Sequence, residues 1–128
     1  MKSRLLTLLA VAASSLLIPS LALGHHGLAA FDATTKVTLK GTVTQFHFVN
    51  PHCILEFDVK DDQGKVQKWE GELTSPNRLA REGWTANTLK AGDELTLTGY
   101  RAKTGAYSMW FTKMLSATGQ EIKLAGGN

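Results

Sequence analysis

Residues 53–60 place the tightest constraint on the fold. There Cys53, Leu55, Phe57 and Val59 alternate with Ile54, Glu56, Asp58 and Lys60. A period of two marks a strand with one buried face. Asp61-Asp62-Gln63-Gly64 follows with strong turn chemistry, its glycine free to take positive φ. Residues 65–73 then return as a further strand, so a β-hairpin is expected.

Upstream, residues 37–49 read as one long strand. Val37, Leu39 and Val43 fall on one side, and Thr38, Lys40, Thr42 and Thr44 on the other. Gly41 sits where the apolar face should continue, which suits a sharp bend or a bulge. Beyond it the apolar positions change parity to Phe46 and Phe48, as an inserted residue would cause. Asn50-Pro51 ends this strand, because proline cannot donate to a ladder. Downstream, Ser75 is a fair helix cap, Pro76 fits the first helical position and Gly83 a stop. This predicts one short helix with Leu79 and Trp84 facing inward. Residues 94–101 and 107–115 are expected to form two more strands, 122–124 a short edge strand, and the last three residues a frayed tail. The expected class is mostly β: a small OB-like Greek-key barrel with one short helix between strands three and four. A sandwich carrying the same helix is the alternative.

The first 24 residues read as an export signal. Lys2 and Arg4 precede an uncharged apolar run from Leu5 to Ile18; Pro19 and Ser20 break it, and Ala22-Leu23-Gly24 offers small residues for a cut before His25. The run is short of the roughly 20 residues a membrane span needs. The expectation is a signal peptide at 1–24, a single OB-like barrel domain at 25–128, a periplasmic address and no stable membrane anchor after cleavage. Of the 14 basic side chains two lie in the leader, which leaves 12 against 11 acidic ones. The sequence pI near 9.1 therefore overstates how basic the mature chain is. Such a chain lacks the electrostatic footprint of a nucleic-acid partner, and none is expected.

Cys53 is the sole cysteine, so no internal disulfide can form. It reads as a small buried apolar residue, with a soft metal ligand as the sharper alternative. No Gly-x-Ser-x-Gly elbow and no phosphate-cradling glycine loop is present. Asp58, Glu70 and Glu72 are carboxylates on strands, where solvated side chains are the ordinary case. The balance leans away from an enzyme.

The four histidines are His25, His26, His47 and His52. A cut before His25 would leave a free α-amino group beside an imidazole, two nitrogen donors on one residue. A cut after Ala22 would instead make His25 third from the terminus, the amine–amide–imidazole chelate of copper and nickel. Nitrogen-rich tetragonal sites favour Cu(II) or Ni(II). His52 stands at the mouth of the turn after Asn50-Pro51, on the parity opposite Cys53. The metal-ligand set expected is His25, His26 and His52, with copper as the metal; His47 reads as a strand histidine without a metal role. Trp69, Trp84, Trp110, Tyr100 and Tyr107 could form a binding face of the kind OB barrels use. In so small a domain core and hairpin packing is the expected use of most of them.

Several motifs stand together: His25-His26 with Phe31-Asp32, Leu39-Lys40-Gly41-Thr42-Val43, and Asn50-Pro51-His52. Ser75-Pro76-Asn77-Arg78-Leu79-Ala80-Arg81-Glu82-Gly83-Trp84, Leu89-Lys90-Ala91-Gly92-Asp93 and Gly99-Tyr100-Arg101-Ala102-Lys103 complete the set. In combination they resemble a family of small exported bacterial proteins that carries a domain-of-unknown-function label. The resemblance covers nearly the whole mature chain. It implies periplasmic residence in a Gram-negative bacterium and an OB-like barrel, and it brings no activity with it. Function is therefore expected to be non-enzymatic binding of copper or another divalent transition metal. The alternatives are a metal-free module for a small molecule or protein partner, and a copper-dependent redox enzyme.

Overall fold

A computed structural model describes residues 27–126. The expected signal peptide, His25 and His26 lie outside the described residues. Within them are strands β1 (Phe31–His47), β2 (Ile54–Lys60), β3 (Val66–Glu72), β4 (Glu94–Ala102) and β5 (Ser108–Ser116). A helix α1 (Pro76–Arg81) lies between β3 and β4, and a 3-10 turn, Leu28–Ala30, precedes β1. The strands close into a barrel in the order β1-β2-β3-β5-β4. Among the described residues only the β3–β5 pairing is parallel. The fold is thus mostly β, a five-stranded OB-like barrel with one short helix after its third strand.

β1 closes the barrel by serving two neighbours. Its first part, from Phe31 to Thr42, pairs with β4, and Thr42 to His47 pair with β2. Gly41 marks the changeover: a Cβ there would stand 2.6 Å from Phe57 Cδ2. The register slips between Val43 and Gln45, so Thr44 is the inserted residue that moves the apolar parity to Phe46. β1 begins six residues earlier than the alternation indicated and ends at His47, short of 49. The added stretch lacks alternation because its register with β4 is irregular between Phe31 and Lys36. The strand expected at 122–124 is not one. A single bridge joins Leu115 to Glu121, and Ile122 donates its N–H to the Met114 carbonyl before the chain leaves the sheet.

Cys53, Leu55, Phe57 and Val59 point into the barrel, with Leu97, Met109, Phe111 and Met114 facing them. α1 starts at an extended Ser75 with Pro76 in its first turn and buries Leu79 completely. Gly83, at φ 87, turns the chain so that Trp84 enters the core and its Nε1–H donates to the Lys123 carbonyl at 2.9 Å. The tail is thereby tied to the helix end, where Lys123 also pairs with Glu82 at 3.2 Å.

Candidate functional site

The outward parity of β2 continues back into the β1–β2 loop and puts His52 on the barrel's outer side. The hairpin register sets Glu72 opposite Ile54, and the parallel register sets Trp110 beside Glu72. Three residues distant in sequence therefore meet where β3 joins β5. His52 Nδ1 stands 3.4 Å from Glu72 Oε2, and the ring meets Trp110 edge-on with centroids 5.5 Å apart. The side chains of His52 and Glu72 are 29% and 22% exposed, so the pair is reachable by solvent. A pair this open contributes little to stability.

The start of the described chain reaches the same place. Phe31 lies 6.0 Å from Trp110, ring centroid to ring centroid, and both are buried. Ahead of it the Leu28–Ala30 turn buries no residue. Lys103, in the β4–β5 loop, donates its backbone N–H to the Ala30 carbonyl at 3.1 Å and its ammonium to the Ala29 carbonyl at 2.9 Å. Just inside β1, Thr34 donates its hydroxyl and N–H to Asp32. Those bonds hold the Asp32 carboxyl below its ordinary range.

His47 is engaged elsewhere, its Nε2 lying 2.8 Å from Glu56 Oε1 across the β1–β2 pairing. Cys53 is fully buried on the inner face, and burial pushes its thiol upward. That geometry suits the packing role and removes Cys53 from the side on which His52 stands. Among the described residues no group of three His, Cys, Asp or Glu could hold a metal ion. His52 and Glu72 alone do not make a metal centre. Their partners in the expected set, His25 and His26, are outside the described residues.

Trp69 and Trp84 are buried in the core and Trp110 is buried against Phe31 and His52, while Tyr107 remains exposed. The Arg101 guanidinium lies 5.3 Å from the Trp69 ring centroid and 5.9 Å from that of Tyr107. Its NH2 group donates to the Gly105 carbonyl at 3.1 Å. A separate open groove of about 380 Å³ lies where β1 changes partners, with Lys40, Lys60, Asp58 and Glu94 on its walls.

Sequence reasoning passed over Glu72 as one more surface carboxylate and did not connect Phe31, Trp110 and Lys103 with His52. The turn at 61–64 contained a usable signal. Pairing Lys60 with Val66 and counting outward brings Glu72 opposite Ile54, two residues from His52. The Trp110 contact carried no such local signal, because it depends on the β3–β5 closure.

Three solved structures show distant similarity. A ZRD-deleted mutant of TiaS in complex with agmatine has a TM-score of 0.49 at 19% identity over 76% of this chain and 24% of that one. A tRNA fluorescent labeling enzyme has a TM-score of 0.44 at 15% identity, over 75% and 24%. The mitochondrial single-stranded DNA binding protein Rim1 from S. cerevisiae has a TM-score of 0.41 at 11% identity, over 71% and 97%. This chain spans about a quarter of the length of the first two. No curated protein matches its sequence. Residues 12–109 match the model of DUF6152, a family of unknown function, and the chain belongs to that family.

Proposed function

We propose that this is a periplasmic, non-enzymatic domain that binds a divalent late transition metal, copper foremost, through His25, His26 and His52. One observation carries the reading: Phe31 and His52 pack against the same indole, that of Trp110. Their ring centroids can be no further apart than those two contacts laid end to end. A 3-10 turn rises about 2 Å per residue, so Gly27 stays within roughly 8 Å of Phe31. His26 is the residue before Gly27. The donors of a chain cut before His25 would therefore be attached directly ahead of this turn.

The chemistry of the pair supports the same reading. A ligating imidazole commonly uses one ring nitrogen for the metal while a carboxylate orients the other. Glu72 stands beside Nδ1 of His52, which leaves Nε2 for a ligand. His52 and Glu72 are two such groups, and the remaining donors would be the histidine pair and the terminal amine.

The test is a Cu(II) competition titration of the chain beginning at His25, against the same chain with one extra residue ahead of it. The extra residue removes the amine from the chelate and should weaken binding at least tenfold, about 1.4 kcal/mol. Equal affinity for the two forms would contradict the proposal. The groove at the β1 crossover favours a second, metal-free reading, because two lysines and two carboxylates face one small-molecule-sized space. It predicts capture of a zwitterionic ligand that Lys40→Ala and Glu94→Ala abolish and that His25→Ala leaves intact.

A further inference from the structure

We infer that the groove at the β1 crossover is a dipeptide site, taking the carboxylate of its ligand at Lys40 and Lys60 and the amine at Glu94. The inference rests on the metal-free reading of that groove and adds to it the class of ligand and its orientation.

The groove follows from the change of partners along β1. Its pairing with β2 stops at Thr42 and Asp58; from there β1 stays with β4, while β2 runs on to Lys60 beside β3. The two strands part, and about 380 Å³ opens there. The register sorts the charges on its walls into two rows. Asp58 and Glu94 lie on either side of Thr42, one in each neighbouring strand. Two residues along, Lys40 pairs with Thr96, and Lys60 stands two residues beyond Asp58. Two residues of strand cover roughly 7 Å, which sets the distance between the carboxylate row and the lysine row along the backbone.

Asp58 is already met by Lys68 at 3.4 Å. Lys40, Lys60 and Glu94 are exposed and make no ion pair among the described residues. Two ammoniums at one end of a groove and an unpaired carboxylate at the other complement a linear zwitterion. A single amino acid carries both charges on one Cα, its amine nitrogen about 2.5 Å from the carboxyl carbon, too close to serve both rows. An extended dipeptide spans about 7 Å and matches them. Thr42 and Thr96 line the same groove, and each hydroxyl can donate to or accept from the central amide.

The experiment is an NMR amide-shift titration of the chain starting at His25 with dialanine, alanine, N-acetyl-dialanine, dialanine amide and γ-aminobutyrate. Dialanine should move the amides of Thr42 and Thr96 and bind about fivefold more tightly than either capped form, the worth of one partly exposed ion pair. Alanine, too short, and γ-aminobutyrate, which has comparable reach but no amide, should also bind more weakly. Glu94→Gln should weaken dialanine and leave N-acetyl-dialanine unchanged; Lys40→Met/Lys60→Met should weaken dialanine and leave its amide unchanged. Should a variant fail to fold, the ligand series on the wild-type chain decides alone. Alanine or γ-aminobutyrate binding as tightly as dialanine, or Glu94→Gln weakening the acetylated form equally, would overturn the inference and leave the zwitterion reading in place. Groove amides that none of the zwitterions moves would remove both.

Discussion

A methyl group at Gly99 would have nowhere to go. Its Cβ would stand 2.1 Å from the carbonyl oxygen of Trp110, a backbone atom held in the β4–β5 ladder. Gly71 meets Phe111 Cζ at 1.9 Å and Gly41 meets Phe57 at 2.6 Å, but those obstacles are side-chain atoms with some freedom to turn. Overpacking a core typically costs 1–3 kcal/mol, and a backbone obstacle belongs at the top of that range. Gly99→Ala should therefore lose about 3 kcal/mol in urea unfolding, and a loss below about 1 kcal/mol would refute the close approach. In the sequence Gly99 merely occupied the inward parity after Leu95 and Leu97. The reason for it lies in the neighbouring strand, which a local pattern does not contain. Cys53 was legible for the opposite reason, since its alternation with Ile54 and its single occurrence both pointed to packing, and it is fully buried.

At the scale of elements, the β2–β3 hairpin was legible because its alternation and its turn are both local. The bend of β1 was legible from Gly41 and the parity change, and the bulge falls between them and Phe46. The early start of β1 and the missing strand at 122–124 were not legible, because each depends on what a neighbouring strand offers. α1 is only six residues long, too short to stand without tertiary support. Its anchor is Leu79, fully buried, with Trp84 tying the next turn to the chain end at Lys123. Leu79→Ala should cost about 3.5 kcal/mol, the middle of the usual range for a buried leucine. Amide exchange would accelerate first around 76–84 and 122–125. Uniform acceleration across the barrel would show instead that α1 has no separate stability.

At the scale of the whole molecule, the barrel brings its proposed working parts to one seam. The β3–β5 pairing has only three register partners, and Glu72 and Trp110 are one of them. His52 arrives there from the β1–β2 loop, Phe31 from the chain start, and Lys103 from the loop nearby. Half of this proposed site could be seen in the sequence: the histidines announced themselves by residue type and by the expected cut site. Glu72 could have been reached by counting the hairpin register out from its turn, whereas Trp110 became visible only with closure, because a parallel pairing brings together strands separated by a helix and a further strand. The central claim is that His52 shares a metal with the N-terminal histidine pair. Its most direct test is the count of nitrogen ligands in the Cu(II) electron paramagnetic resonance spectrum of the chain starting at His25, set against His52→Ala. The account predicts one nitrogen fewer in the variant with the N-terminal donors retained; identical spectra would contradict it.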